Sequence, residues 1–329
     1  MIRTIYIEEE VRDHPRTMEI MYRFRDATPI YCRRYTEIFN RKSQNFRLQK
    51  KQPALILARK YSNHILPAPD DYGIGSIHNY YFSHMLNCIY DCRYCFLQGM
   101  FRSAHYVLFV NYDEFANEII RLIREKGNES LCFFSGFDCD SLAMEPITRF
   151  TEYFLPVFEN QSNAILELRT KSTQIRSLMK YRPSANCVIA YSLAPPDIAS
   201  ALEHKTPTIE KRIRAITRLQ EKGWQIGLRF DPLIFYDNFK TGYKNFFEYV
   251  FNRIDPATVH SVSLGSFRLP RDYFHKIRQL YPEEPLFASC LEGINGKVMY
   301  SKALQEELLA CCADNILEYI PQNRFFPCY

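Results

Sequence analysis

The sequence predicts an α/β fold built on a parallel sheet, arranged either as an open barrel or as a doubly wound sheet. Short apolar runs that suit buried strands alternate about six times with segments of helical spacing, and the connections between them are short. With 329 residues and 47% hydrophobic content, the chain can form one large domain or two ordinary ones. These observations point to a repeated strand–helix unit.

The elements follow from periodicity and from residues that start or stop helices. In the first helix of the alternation, Phe115, Ile119 and Ile123 recur at helical spacing, with Asn111 as the expected N-cap and Gly127 as the stop. The predicted strands cover 54–58, 80–86, 106–110, 131–134, 165–168, 188–193, 225–230 and 259–264. The predicted helices cover 17–25, 112–126, a stretch within 144–158, 173–181, 206–223, 243–252, 272–281 and 302–319.

Three cysteines stand close together in the segment 87–97. Cys88, Cys92 and Cys95 have a C-x3-C-x2-C spacing, and three thiolates on one loop can hold three irons of a [4Fe–4S] cluster. The fourth iron then has no protein ligand, which is the arrangement in radical S-adenosylmethionine (SAM) enzymes. A structural zinc site usually has two close ligand pairs, and the sequence contains no second C-x2-C. The spacing therefore predicts a cluster with one open iron, the alternative being three free cysteines.

Composition indicates where the protein functions. The eleven cysteines are better explained as reduced thiols and cluster ligands than as a disulfide framework. The chain has no apolar run of membrane-spanning length, and its N-terminus lacks the apolar core of a signal peptide. We therefore expect a cytoplasmic protein that has no membrane partner.

A basic stretch covers residues 31–60. It contains nine Lys and Arg residues against one acid, Glu37, although the net charge of the whole chain is only +5. Aromatic residues are interleaved with these cations, namely Tyr31, Tyr35, Phe39 and Phe46. Cations beside stacking rings are typical of nucleic-acid binding, and a solvated basic face is equally compatible with the charge pattern.

Several landmarks lie in one order along almost the whole chain. They are Tyr6-Ile7-Glu8, Cys88-x3-Cys92-x-Tyr94-Cys95-x-Leu97-Gln98, Asp140-Ser141-Leu142-Ala143-Met144-Glu145, Thr170-Lys171, Ser192, Glu210-Lys211-Arg212-Ile213 and Gly242-Tyr243. Through them the chain resembles the spore photoproduct lyase family of radical SAM DNA-repair proteins. The resemblance implies a partial (β/α)6 barrel of the TIM type over 76–285. It also implies an N-terminal extension over 1–75 that packs on the barrel, and a C-terminal helical tail over 286–329.

The resemblance also implies a reaction and its cofactors. A [4Fe–4S] cluster would reductively cleave SAM to a 5′-deoxyadenosyl radical, which acts on a DNA lesion such as a thymine photoproduct. The implied partners are damaged DNA and an external electron donor such as flavodoxin or ferredoxin. Two alternatives stay open: radical SAM chemistry on RNA, a peptide or a small molecule, and a non-enzymatic iron–sulfur protein that binds nucleic acid.

Site residues follow from the same resemblance. Cys88, Cys92 and Cys95 would be the metal ligands. Asp140 would accept from the SAM amino group, while Lys171 and Ser192 would contact its carboxylate or ribose. For each of these three, the alternative is an ordinary ion pair or a strand-end hydrogen bond.

The sequence departs from the family at the residues that return hydrogen to the product. Phe137 stands where the lyase has its hydrogen-donating cysteine, and Phe96 replaces a relay tyrosine. We therefore consider Cys139 and Tyr94 as catalytic hydrogen donors, with Cys139 equally explained as a small packing residue. Arg229 and Asp231 share one strand face and could either face the active site or pair with each other inside the barrel.

Overall fold

The structure, a computed structural model, describes residues 2–69 and 72–328. The strands within these residues are β1 (Thr4–Glu8), β2 (Thr28–Cys32), β3 (Leu55–Ala58), β4 (Leu66–Pro67), β5 (His78–Phe82), β6 (Met85–Leu86), β7 (Asp91–Cys92), β8 (Tyr106–Phe109), β9 (Leu131–Ser135), β10 (Ala164–Thr170), β11 (Cys187–Ser192), β12 (Glu203–His204), β13 (Gln225–Leu233), β14 (Val259–Ser266), β15 (Arg268–Pro270), β16 (Leu291–Ile294), β17 (Lys297–Tyr300) and β18 (Phe325–Cys328).

The α-helices of the same residues are α1 (Pro15–Arg23), α2 (Phe46–Lys51), α3 (Leu97–Met100), α4 (Tyr112–Glu125), α5 (Glu145–Thr148), α6 (Phe150–Phe158), α7 (Pro196–Leu202), α8 (Ile209–Lys222), α9 (Phe239–Phe251), α10 (Arg271–Leu280) and α11 (Lys302–Leu317). In the described part of the chain, no helix combines the length and apolar character that a membrane span needs.

The central feature is a curled sheet that forms a half-barrel. Strands β5, β9, β10, β11, β13 and β14 lie side by side in that order and run parallel. At the two edges, β18 continues the row in parallel beside β14, and β4 pairs antiparallel with β5. This arrangement confirms the predicted partial α/β barrel and decides against a doubly wound sheet.

The two faces of the barrel sheet have separate apolar clusters. On β9, Leu131 and Phe133 belong to the main core, where the ring of Phe133 lies 5.6 Å from that of Phe158 in α6. Cys132 and Phe134 alternate with them and form a small second cluster with Ile74. Because successive strand residues point to opposite faces, the second cluster lies inside the barrel.

A second sheet is formed mainly by the N-terminal region, in the order β2-β1-β3-β8-β6. The strand predicted over 106–110 forms as β8, but it pairs with β3 in this sheet and not in the barrel. The single strand predicted over 80–86 is wrong, since it divides into β5 and β6, which belong to different sheets. Between them, the hydroxyl of Ser83 donates to Asp138 at 2.6 Å. The division at 75 and 285 stays a prediction.

Three helix predictions need correction. No helix forms over 173–181, because the hydroxyls of Thr170 and Ser172 accept the amides of Ser172 and Gln174 at 2.8 and 3.1 Å, which competes with helical hydrogen bonding. The helix within 144–158 is two helices separated by Arg149, whose φ is +46°. Asn111 does not cap α4 through its side chain, which instead bonds the backbone of Lys60 at 3.0 and 2.9 Å.

Candidate active site

Loops that follow neighbouring parallel strands carry the predicted site residues. The cysteine loop follows β5 and β6, Asp140 follows β9, Lys171 follows β10, and Ser192 ends β11. Because the C-terminal ends of parallel strands meet at one rim of a barrel, these residues share the rim where barrel enzymes place their active sites.

The cysteine loop is held by backbone pairing on its inner side. β7, which contains Cys92, pairs antiparallel with β12, and the amide of Arg93 donates to the carbonyl of Leu202 at 2.8 Å. At the start of the loop, Asn87 has a φ of +68° and donates to the carbonyls of Ser103 and His105, each at 2.7 Å. The loop is thus fixed by contacts within the protein.

The three thiols fit an iron–sulfur cluster. Burial raises the pKa of Cys88 well above its usual value, and nearby Asp140, Cys92 and Cys95 raise it further. Such thiols stay protonated unless a metal takes the proton's place, and coordination deprotonates a thiol. Among the described residues, no three side chains converge as ligands of a single ion would. A cubane cluster differs in this respect, because each cysteine sulfur binds a different iron of the cluster.

The outer side of the loop is held by polar side chains. Asp91 accepts from Lys50, from Arg93 at 2.7 Å and from the hydroxyl of Tyr281 at 3.2 Å. Lys50 also donates to Gln98 at 2.5 Å. Residues far apart in sequence therefore fix the loop from outside.

Asp140 uses its carboxylate to shape the rim. Oδ1 accepts from the amides of Leu142 and Ala143 at 3.0 and 2.8 Å and from the hydroxyl of Thr170 at 2.7 Å. Oδ2 accepts from the amide of Lys171 at 2.6 Å. Burial raises the pKa of Asp140 despite these donors. Since Oδ1 already has three donors, Oδ2 is the atom with room for a SAM amino group, and that contact stays a prediction.

A buried ionic network lies under the loop. Glu203 accepts from the hydroxyl of Tyr94 and from Arg212, and its carboxylate lies 3.9 Å from the ammonium of Lys171. Burial lowers the pKa of Lys171, but Glu203 and the thiol of Cys92 outweigh it, so the net shift is upward. Lys171 therefore stays cationic at the rim, as a contact to the SAM carboxylate would require.

Arg212 connects this network to Ser192. Its guanidinium donates to the carbonyl of Ser192 at 3.0 Å and to the hydroxyl of Thr206 at 2.7 Å. The backbone of Ser192 is thereby fixed at the end of β11. The predicted contact of Ser192 with SAM stays a prediction.

Four aromatic rings meet beside the cysteine loop, and we call Tyr72, Tyr81, Phe96 and Phe137 the interior aromatic group. The ring of Phe137 lies 4.3 Å from that of Tyr81, 5.6 Å from Phe96 and 5.9 Å from Tyr72. Phe96 and Phe137, the two departures from the family pattern, are therefore neighbours. The guanidinium of Arg169 lies 4.5 Å from the ring centre of Tyr72.

Cys139 and Tyr94 lie in other surroundings. The sulfur of Cys139 lies 3.9 Å from Nδ1 of His84, whose pKa burial lowers to about 3, and both residues are buried. His84 in turn packs on Phe150 of α6, with ring centres 4.2 Å apart, which places it on the helix-facing side of the sheet. The hydroxyl of Tyr94 donates a hydrogen bond to Glu203. Neither group is in the interior aromatic group, and their catalytic roles stay predictions.

The basic stretch has six of its nine cations exposed and most of its aromatic rings covered. Phe39 and Phe46 are buried, and Tyr35 packs edge-on against Phe109 at 5.6 Å. Tyr31 is the exposed ring of the four, and the guanidinium of Arg12 lies 4.9 Å from its centre. The expected set of stacking platforms is thus reduced to one ring.

The Arg229–Asp231 pair, one of the two alternatives from the sequence, does not form. Arg229 pairs with Glu167 at 2.6 Å and donates to the hydroxyl of Ser261 at 2.9 Å. Asp231 lies 3.4 Å from Arg268. The long side chain of Arg229 instead reaches Ser261 on the adjacent strand β14 and Glu167 on β10, which lies two strands away.

Sequence reasoning missed Glu203 and Tyr72. Glu203 stands alone in a short strand, so no pattern distinguishes it from a surface acid. Tyr72 precedes β5 in an irregular segment, where periodicity gives no direction for its ring. Arg212 lay within one of the landmarks, but nothing in the sequence indicated its partner.

A parallel half-barrel with a C-x3-C-x2-C loop at its rim defines the radical SAM class of enzymes, whose cofactors are a [4Fe–4S] cluster and SAM. The family model described as spore photoproduct lyase matches residues 76–325, and the chain belongs to that family. The family predicted from the sequence is confirmed.

Two curated relatives carry the name spore photoproduct lyase. The protein of Bacillus subtilis is 21% identical over 202 residues, which cover 60% of this chain and 59% of the relative. The protein of Clostridium acetobutylicum is 20% identical over 292 residues, or 87% of this chain and 84% of the relative. The match to the first relative thus spans less than two thirds of its length.

Solved structures extend the likeness in fold to the whole chain. A double mutant of spore photoproduct lyase with bound AdoMet and dinucleoside spore photoproduct has a TM-score of 0.87 at 17% identity. Spore photoproduct lyase complexed with dinucleoside spore photoproduct has a TM-score of 0.84, also at 17% identity. Each comparison covers 100% of this chain and 98% of the other.

Proposed function

We propose that this protein is a radical SAM enzyme that repairs a thymine photoproduct in DNA. The observation that carries the proposal is the fixed loop with three thiols at the rim of a half-barrel, in a chain that belongs to the spore photoproduct lyase family. Relatives of that name have been solved with AdoMet and with the dinucleoside lesion, which supports the same substrate here.

The site residues have different proposed roles, which follow from their positions. Cys88, Cys92 and Cys95 would hold the cluster, which when bound with SAM supplies a 5′-deoxyadenosyl radical. Lys171 would hold the SAM carboxylate through its retained positive charge. Asp140 keeps the loops after β9 and β10 together, so that the binding surface is preorganised.

The interior aromatic group would receive the lesion. Its rings can stack on thymine faces and keep water away from a reactive carbon radical. A duplex substrate must extrude the damaged bases to reach this interior. Phe96 and Phe137 carry no hydroxyl or thiol, so hydrogen must return to the product from another group, of which Cys139 and Tyr94 are our candidates.

Cluster loading tests the first half of the proposal. The Cys92→Ala variant should lose the absorbance and most of the about four irons per chain that anaerobic reconstitution gives the unsubstituted protein. Cys290→Ala removes one exposed thiol outside the loop and is the matched control, which should retain both. Equal iron content in the two variants would refute the ligand assignment.

Product analysis tests the second half. With dithionite, SAM and the dinucleoside photoproduct, the reconstituted protein should form 5′-deoxyadenosine and two repaired thymidines. Formation of 5′-deoxyadenosine without repair, in a protein that binds cluster and SAM, would contradict the DNA substrate.

That result would favour the alternative, radical SAM chemistry on another substrate. The observation in its favour is the replacement of both hydrogen-return residues by Phe96 and Phe137, whose rings lie 5.6 Å apart.

A further inference from the structure

Helix α2 lies over the outer side of the cysteine loop. Its Phe46 is buried, and its Lys50 turns inward to Asp91 and Gln98 of the loop. The remaining side is exposed and carries Leu48, with 61% of its surface accessible, between cationic residues. One side of this short helix therefore fixes the loop, while the other is available to a partner.

A narrow fissure leads from this surface to a predicted cluster ligand. Its lining includes Phe46, Lys50, Cys88, Gln98, Tyr106 and Lys205. Its volume of about 20 Å³ has room for about one water molecule, so it is no substrate pocket. No member of the interior aromatic group lines it, which means that it reaches Cys88 from the side away from the barrel interior.

Six exposed cations lie on α2, in the segment before it, after α3 and after β12, and we call them the basic face: Arg41, Lys42, Arg47, Lys51, Arg102 and Lys205. Lys205 lines the fissure itself. The amide of Arg102 donates to Asn40 at 2.6 Å, which brings Arg102 beside Arg41. Within residues 2–69 and 72–328, none of the six forms an ion pair with an acidic side chain. Their charge is therefore uncompensated.

We propose that the basic face is the docking surface for an acidic electron-carrier protein of the flavodoxin or ferredoxin type. The inference rests on the proposed function, because it requires a cluster at Cys88, Cys92 and Cys95. In each encounter the carrier loses one electron and the cluster gains one, and no atom is transferred. Leu48 supplies the apolar centre and the cations supply the charged rim that such an interface uses.

The substrate and the electron carrier need separate surfaces, because they cannot reach the cluster from the same side. The lesion and SAM would occupy the inner side of the loop, next to the interior aromatic group, throughout the reaction. A protein carrier is too large to enter that space, so its electron must arrive from outside the barrel. The thin wall over Cys88 is such a route, and its surroundings have the charge that attracts an acidic partner.

A polynucleotide is the rival partner for the same charge. Phosphates would bind exposed cations, but Phe39 and Phe46, the rings nearest in sequence to Arg41, Lys42, Arg47 and Lys51, are buried and offer no stacking surface for bases. The covered rings and the position over Cys88 favour the carrier, and the experiment separates the two.

Charge reversal tests the proposal. The triple variant Lys42→Glu, Lys51→Glu, Lys205→Glu changes three exposed residues of the basic face and leaves Lys50 in place. The matched control, Arg124→Glu, Arg218→Glu, Lys222→Glu, reverses three exposed cations in the C-terminal halves of α4 and α8. These helix ends precede β9 and β13 and so lie at the opposite end of the barrel.

Each reconstituted protein is titrated with a purified acidic flavodoxin at low and high ionic strength. Cluster reduction by the reduced flavodoxin and by dithionite is followed by absorbance. The triple variant should bind flavodoxin about tenfold more weakly at low salt and be reduced by it correspondingly more slowly. The control should match the unsubstituted protein, and dithionite should reduce all three equally.

Equal flavodoxin affinity in all three proteins would overturn the proposal. So would a triple variant that loses affinity for a duplex oligonucleotide while it keeps flavodoxin binding, because the basic face would then be a polynucleotide surface. Failure of the proposed function looks different, since the unsubstituted protein would then, even with dithionite, give no 5′-deoxyadenosine or leave the photoproduct unrepaired.

Discussion

Two regions of the molecule bury glutamates in different ways. In the barrel interior, Glu167 pairs with Arg229 at 2.6 Å and with Arg169 at 3.0 Å. At the start of α6, Glu145 accepts instead from neutral donors, the amides of Phe150 and Thr151 at 3.1 Å. The pKa of Glu167 is lowered, because its arginines outweigh the effect of burial, whereas burial raises the pKa of Glu145 to about 7.

The difference shows that a buried acid keeps its charge where arginines contact it and tends to be neutral where only uncharged donors do. Glu167 connects β10 with β13 through Arg229, and its lowered pKa favours the charged carboxylate. Glu145 fixes a helix start and can be neutral near physiological pH. Glu203 under the cysteine loop, like Glu167, contacts two cations, Arg212 and Lys171, but it lies in the short strand β12 outside the barrel sheet.

The largest effect is expected from neutralising the interior acid. Glu167→Gln leaves Arg229 and Arg169 without a counterion inside the barrel, so the free energy of unfolding should fall by about 3–5 kcal/mol. Urea unfolding measures it. Glu307→Gln, which breaks an exposed pair with Lys240, is the control and should stay within about 0.5 kcal/mol. Equal effects would mean that the interior pair is not what holds these strands.

The next effect is a dependence of stability on pH. The pKa of Glu145 is higher in the folded protein, about 7, than its usual value of 4.5. The folded state therefore binds more protons in this window, and stability is lost as pH rises from 4.5 to 7 and then levels off. The contribution is about 3 kcal/mol.

The Glu145→Gln variant isolates that contribution. Urea unfolding between these pH values should show the decline in the unsubstituted protein and a flatter profile in the variant. Parallel profiles would show that Glu145 does not titrate in this range.

The smallest effect is expected under the cysteine loop. Glu203→Gln leaves Arg212 and Lys171 uncompensated, but local opening of β7 and β12 can expose them to water. The free energy of unfolding should therefore fall by about 2 kcal/mol, less than for Glu167→Gln. Hydrogen exchange should accelerate at the amide of Arg93, which bonds Leu202 across this pairing.

Glu210→Gln is the control for that experiment, because its pair with Arg214 is exposed on α8. It should leave the exchange of the Arg93 amide unchanged. If Glu203→Gln destabilises the whole chain as much as Glu167→Gln, the loop network belongs to the barrel core.

The barrel was predictable from sequence because its strands are apolar runs and its helices have regular spacing. Gly127 and Gly223 end α4 and α8 as predicted, each with a positive φ. The cysteine spacing likewise predicted the family. Pairing across sheets was not predictable, since nothing local to β8 or β18 says which strand will be its neighbour.

The same limit applies to the site. Asp140 and Lys171 were found at the rim by their place in the landmarks, but their partners were not. A pair between Arg229 and Asp231, two residues away, was one of two alternatives, and Arg229 instead bonds Glu167, 62 positions earlier. A long side chain can bond any acceptor within its reach, and the folded structure determines which acceptors those are.

The contacts of Asp91 determine when, during maturation of the protein, the cysteine loop can form. Asp91 is bonded by Lys50, 41 positions earlier, and by Tyr281, 190 positions later. The loop therefore attains its final shape only after most of the chain has been synthesised and has folded. Iron–sulfur loading should accordingly be a late event in maturation, and a nascent chain should be a poor acceptor even when all three cysteines have left the ribosome.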